Sequence, residues 1–268
     1  VFVSLRNPEA ALTYFADAVL PNLSAPFVLV SGSEDVTLPR QTDARWRPFG
    51  PETASAIRRI LDHPGLLRWF AENLETGFDP RVTALPTGFV FRDSAPPDRL
   101  ETPPGPPLSG RPLHVLCGHR LREGPQWETR RAVSALARGP WSGFVTLLDA
   151  ELPEPDFLDL MRQHAFVLCV EGGGLDPAPK AWQAIQQGAI PIVRRSQVCE
   201  AYRDLPFAVV DAWTAQALDR PRLAAWQQAL APEFDQPARR AAVLQRLTLG
   251  HWWSRIEAAA PQPVRSGA

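Results

Sequence analysis

Apolar and polar positions fall into blocks of two lengths along the chain. Short apolar runs bounded by turn formers recur at Val1–Leu5, Pro26–Ser31, Val82–Pro86, Leu113–Cys117, Phe144–Leu148, Ala165–Val170, Ala189–Val193 and Phe207–Val210. Each predicts a short buried strand, the kind that fills a parallel sheet covered on its faces. Between them lie stretches with helical spacing, at 8–20, 51–61, 64–74, 125–138, 154–163, 197–203, 214–230 and 235–259. Strands alternating with helices predict an α/β protein with doubly wound parallel sheets.

The densest pattern is Ala165 to Val193. It reads as strand, glycine loop, helix and second strand, a βαβ unit. Gly172, Gly173 and Gly174 leave the backbone without side chains, so a ligand can approach closely. Asp176 is the expected N-cap, followed by Pro177 and Pro179 in or near the first turn. The helix runs to about Gln187, with Gly188 suited to the left-handed position that ends it. Loop and helix-start amides would face an anion. The spacing is neither Gly-x-Gly-x-x-Gly nor a phosphate-binding lysine motif, so a ligand platform and a plain tight connection both remain open.

Residues 94–112, rich in proline, can hold neither a helix nor a central strand. They predict a semi-rigid linker, or else one long surface loop. The expected division is a first domain over 1–93, the linker 94–112, a second domain over 113–234, and a C-terminal helix and tail over 235–268. Ligands of such sheets bind where strands end at their carboxyl side. That singles out Gly32–Asp35, Gly118–Arg122, Glu171–Asp176 and Arg194–Ser196.

Composition narrows the choices. The 268 residues are 45% hydrophobic and 21% charged, with a net charge of -1. This is ordinary for a globular protein and offers no broad cationic face for nucleic acid. No apolar run is long enough to span a membrane, so no integral membrane segment is expected. Cys117, Cys169 and Cys199 form no metal-ligand spacing, and His63, His114, His164 and His251 share none. The absence of a visible leader and the wide cysteine spacing point to a cytoplasmic setting.

Three segments then carry a resemblance: Phe166–Asp176, Lys180–Val193 and Tyr202–Trp213, the last reading Tyr-Arg-Asp-Leu-Pro-Phe-Ala-Val-Val-Asp-Ala-Trp. They look like the donor-site region of exostosin-like glycosyltransferases of the bacterial GT-B type. Phe27–Asp35, Leu67–Asn73 and Leu85–Gly88 are similar to the first half of such proteins. The resemblance implies two Rossmann-like domains with parallel sheets facing across a cleft. The first would be the acceptor side and the second the nucleotide-sugar side. It implies transfer of a sugar from a nucleotide-diphosphate donor to a glycan or other hydroxyl acceptor, with no resident cofactor and no metal, in polysaccharide or glycoconjugate synthesis. Two positions depart from the pattern. Glu171 stands where a basic residue is common, and Gln183 replaces a glutamate expected to hold the nucleotide ribose. Lys180 keeps the basic position, displaced by one residue. A catalytically inactive GT-B-like binding or scaffold module, or another nucleotide-sugar enzyme such as an epimerase, is therefore an alternative.

Sugar transfer with inversion needs a base for the acceptor hydroxyl and positive charge for the leaving diphosphate. Asp35 is the first candidate base, with Glu34 behind it; a turn aspartate is the plain alternative. His119 could act as base or donor. Arg120 or Arg122, Lys180, Arg194 and Arg195 are candidate phosphate ligands, and Glu171, Gly172, Gly173, Gly174 and Gln183 complete the candidate donor site. Trp182 reads as core packing rather than base stacking. Trp69, Trp213, Trp252 and Trp253 also read as packing residues.

Overall fold

The computed structural model describes residues 1–90, 96–101 and 103–260. Residues 91–95 across the end of the expected first domain and the start of the linker, Thr102 in the linker and the tail 261–268 lie outside them. The chain groups into two units. Of the described residues, the first comprises 1–87, 197–201 and 250–260; the second comprises those within 88–196 and 202–249.

In the first unit, strands β1 (Phe2–Ser4), β2 (Phe27–Gly32), β3 (Leu66–Glu72) and β4 (Val82–Leu85) form a parallel sheet in the order β1-β2-β3-β4. Helices α1 (Pro8–Tyr14) and α2 (Pro51–Asp62) carry the first two crossovers. Successive steps in one direction, each right-handed, place both helices on one face, and the two touch. The 64–74 helix predicted from apolar spacing is instead β3. Pro64 and Gly65 interrupt the chain after α2. The seven residues of β3 then satisfy their backbone between β2 and β4, with Trp69 and Phe70 buried. A short apolar run fits either period, and tertiary pairing decides it.

In the second unit, β5 (Val115–Cys117), β6 (Val145–Leu147), β7 (Phe166–Leu168), β8 (Ile190–Arg194) and β9 (Ala208–Val210) are all parallel, in the order β6-β5-β7-β8-β9. Helices α3 (Glu128–Arg138), α4 (Glu154–Gln163) and α5 (Lys180–Gln186) link them. The chain moves one way from β5 to β6 and the other way from β5 through β7 to β9. The β5/β7 boundary is therefore the topological switch point. Both sheets match the expected α/β, Rossmann-like class.

Buried Trp141, Phe166, Leu116 and Trp182 fill this second core. Arg111, just before β5, is buried and donates to the carbonyls of Pro106, Met161, His164 and Gln187. It thereby satisfies the carboxyl ends of α4 and α5, where the helix dipole favours a cation. Burial lowers its pKa to about 10. Helix α6 (Arg220–Asp235) is capped by the Asp219 side chain, which accepts from the Arg222 N–H at 2.7 Å. The single helix expected at 235–259 is two, α7 (Pro237–Arg246) and α8 (Leu249–Ala259). The break falls at Leu247–Thr248, where Thr248 Oγ1 turns back to the Gln245 carbonyl. Trp253, expected in a core, is 53% exposed on α8.

Candidate functional site

Charged and polar side chains of the second unit gather at the carboxyl ends of β5 and β7. Gly118 follows β5. A Cβ there would come within 2.5 Å of the Phe157 ring, so the close packing of Phe157 leaves no room for a side chain. Its carbonyl accepts a hydrogen bond from Lys180 Nζ at 2.5 Å. Lys180 begins α5, and no carboxylate pairs with it among the described residues. Burial lowers its pKa to about 8, with the Arg130 guanidinium adding to the effect. An ammonium held beside a carbonyl and a second cation is short of an anion.

Arg130 on α3 gathers the same loops. It donates to the carbonyls of Glu171 (3.0 Å), Arg120 (3.1 Å) and Val170 (3.4 Å), and stacks over Trp127. Its Nη2 would lie 2.7 Å from a Cβ on Gly172. The space beside Gly172 is thus taken up by a guanidinium. Asp176 does not cap α5. Its Oδ1 accepts from the Ala178 N–H at 2.7 Å, making a turn, and α5 starts four residues later with Pro179 in the capping position. Gly188 does end the helix in the left-handed region, at φ 78°.

Glu171 and Arg194 form an ion pair. The carboxylate is buried, and its second oxygen accepts from Trp213 Nε1–H at 2.9 Å. Glu171 therefore spends its charge inside the protein, and Trp213 acts through its N–H as well as its bulk. Gln183 donates to Glu154 on α4 at 2.9 Å. Arg195 pairs with Asp211, and Arg120 with Glu151, both at exposed positions. Trp182 is fully buried in edge contact with Phe207, as packing predicts, and its Nε1 has no partner among the described residues.

His119 is held as a neutral ring. Its Nε2 lies 3.0 Å from the Arg130 carbonyl and 2.9 Å from Ser134 Oγ. A carbonyl only accepts, which assigns the proton to Nε2. Nδ1 faces the Cys117 thiol at 3.7 Å. Burial pushes that thiol up to about 11, so it keeps its proton, and brings His119 down to about 3, with Lys180 and Arg130 adding to the effect. With both nitrogens turned inward, the ring has the geometry of a scaffold element.

Asp35 lies in the first unit, in the loop after β2. Its N–H donates to Glu34 Oε1 at 2.9 Å. Burial raises its pKa, with Glu34 and Asp43 adding and Arg45 opposing. The surrounding loops are tightly determined. Glu75 is fully buried and accepts from Thr37 Oγ1, Thr42 N, Thr42 Oγ1 and Arg40 Nε. Asn73 Nδ2 donates to the Glu34 carbonyl at 3.0 Å. Ser33, Gln41 and Asn73 take positive φ values of 80°, 53° and 51°. Side chains there are strained by about 1–3 kcal/mol each, and such strain gathers at functional sites. Two buried polar atoms, Gln41 Nε2 and Asn73 Oδ1, have no partner among the described residues.

Among the described residues no group of three or more His, Cys, Asp or Glu could hold a metal ion, and no helix is long and apolar enough to cross a membrane. Arg130 and Glu75 have no motif to announce them, and Trp213 and Asn73 end segments of the resemblance that say nothing of the partners they take here. Each acts through a partner distant in sequence.

No protein-family model matches the chain, and a search of curated proteins finds no relative. Among solved structures it is similar to an OtsA apo structure at TM-score 0.48 and 11% identity, over 96% of this chain and 77% of that one. It is also similar to a trehalose-6-phosphate structure from E. coli bound with UDP-2-fluoro glucose (0.47, 11%, 93% and 76%). A third is an alpha,alpha-trehalose-phosphate synthase (UDP-forming) from Burkholderia vietnamiensis (0.40, 11%, 96% and 70%).

Proposed function

We propose that the chain is a glycosyltransferase of GT-B type, exostosin-like and metal-independent. It would move a sugar from a nucleotide diphosphate to a hydroxyl acceptor in polysaccharide or glycoconjugate synthesis. The observation that carries this reading is Lys180: a cation without a carboxylate partner among the described residues, at the β5/β7 switch point, where open α/β sheets take their ligands. The exostosin-like pattern of the other residues from Phe166 to Trp213 supports it as well.

In this reading Asp35 takes the proton of the acceptor hydroxyl, and its raised pKa suits a base. The acceptor oxygen bonds to the anomeric carbon, and the bond from that carbon to the phosphate oxygen breaks. The electron pair leaves on the nucleoside diphosphate, whose growing charge Lys180 stabilises. His119 has no part in this proton transfer. Arg120 and Arg195 lie outside the proposed phosphate contacts, because their carboxylate partners Glu151 and Asp211 are themselves exposed and would repel a diphosphate; Gln183, expected at the ribose, is bonded to Glu154 instead.

Calorimetric titration with nucleoside diphosphates and the matching uncharged nucleosides tests the donor assignment. Selective binding of a diphosphate is expected, and no binding of any diphosphate rejects the proposal. Donor turnover in Asp35→Asn tests the base, with an expected fall of about 10²–10⁴-fold. A binding module without turnover is the second reading, favoured by the inward-turned His119. It is selected if diphosphates bind but no donor is consumed with any acceptor.

A further inference from the structure

Glu171 poses a problem for any anion site near the glycine loop. A carboxylate after β7 should repel a diphosphate, yet its surroundings give it a different task. One oxygen is paired with Arg194 Nε and the other receives the Trp213 indole N–H at 2.9 Å. The three residues sit after or at the carboxyl ends of β7, β8 and β9, which are neighbours in the sheet. The carboxylate is 3% exposed as a residue, whereas the Arg194 side chain is 34% exposed. The pair therefore has a buried acidic end and a solvent-facing basic end.

Arginine offers five N–H donors in a rigid planar fork. Glu171 takes the Nε edge. Nη1 and Nη2 have no protein acceptor among the described residues. Fixing Nε fixes the plane of the guanidinium, so the two outer amines present a preset pair of donors at the end of β8. Such a fork matches phosphate oxygens, and holding it in place beforehand reduces the entropy lost on binding. Lys180 reaches the end of β5, two strand positions away and so about 10 Å along the sheet.

We propose that Glu171 is a positioning residue that orients Arg194 as the second cationic contact of the diphosphate. Lys180 is the first contact. This rests on the donor reading above and changes its reading of Glu171: the carboxylate does not meet the ligand and acts only through Arg194. The arginine supplies positive charge to the leaving group, and the glutamate supplies its direction.

The test measures affinity for a nucleoside diphosphate and for the matching nucleoside in wild type, Glu171→Gln, Arg194→Gln and the double variant, with thermal unfolding alongside. Glu171→Gln keeps the size and an acceptor for Trp213 but releases the guanidinium. We expect it to weaken diphosphate binding about tenfold or more while leaving nucleoside affinity unchanged. Arg194→Gln should match that loss, and the double variant should add little to either, because both remove one contact. Arg194→Lys should not restore binding, since lysine has no Nε to hold. Should Glu171→Gln fold poorly, Trp213→Phe removes the other anchor, and a smaller selective loss for the diphosphate is expected there. Equal losses for nucleoside and diphosphate, or additive losses in the double variant, overturn the positioning role while the donor reading stands. If wild type binds no diphosphate, both fall together.

Discussion

Replacing Lys180 by methionine should make the protein more stable and less able to bind its donor. The folded state holds this ammonium at a pKa of about 8 against 10.5 for the free group, chiefly because burial disfavours the charge. At about 1.36 kcal/mol per pH unit that displacement is worth about 3 kcal/mol. Lys180 retains some solvent contact, and the hydrogen bond to the Gly118 carbonyl is lost with it. The expected gain at pH 7 is therefore about 1–3 kcal/mol, or roughly 2–10 °C in Tm. The sign follows from linkage. Below pH 8 the lysine is charged in both states and the folded protein bears the whole cost. Between pH 8 and 10.5 the folded state loses its proton first, so wild-type stability rises with pH and the advantage of the variant shrinks. The assay is thermal unfolding of both proteins from pH 6 to pH 9.5, with and without a nucleoside diphosphate. Wild type should gain Tm with the ligand, and the variant should not. A variant that is less stable at pH 7 and still stabilised by the diphosphate refutes the reasoning.

Gly172→Ala forces a Cβ against Arg130 Nη2 and displaces the guanidinium from the Glu171 and Val170 carbonyls, for an expected loss of about 1–3 kcal/mol in denaturant unfolding. His119 contributes stability that declines in acid: its folded pKa of about 3 lies below the usual 6.5, so the unfolded state takes up the proton first. Stability should fall as pH drops from 6.5 toward 3, and a His119→Gln variant should show a flatter profile over that window. Glu75→Ala removes the acceptor that joins Thr37, Arg40 and Thr42; about 2–4 kcal/mol should be lost, with faster hydrogen exchange at Thr42.

The α/β alternation was legible because buried parallel strands must be short apolar runs and their crossovers must be amphipathic. The βαβ unit at 165–193 was legible for the same reason, down to Gly188. Periodicity alone misassigned 64–74, where pairing with β2 and β4 outweighs helical spacing. It also merged α7 and α8, because a side chain turning back on one carbonyl leaves the apolar pattern intact.

For the candidate site, sequence by itself determined which residue types stand at or just after the strand ends, Asp35, His119, Glu171 and Arg194, and at the start of α5, Lys180. Their protonation and their partners belong to tertiary structure. Glu171 and Trp213 are 42 residues apart, Arg130 and Glu171 are 41 apart, and Lys180 and Gly118 are 62 apart. Charge and hydrogen bonding act over a few ångströms, and only the folded sheet brings such distant residues that close. Burial, which moves Lys180 down and Asp35 up, likewise exists only once the core has formed.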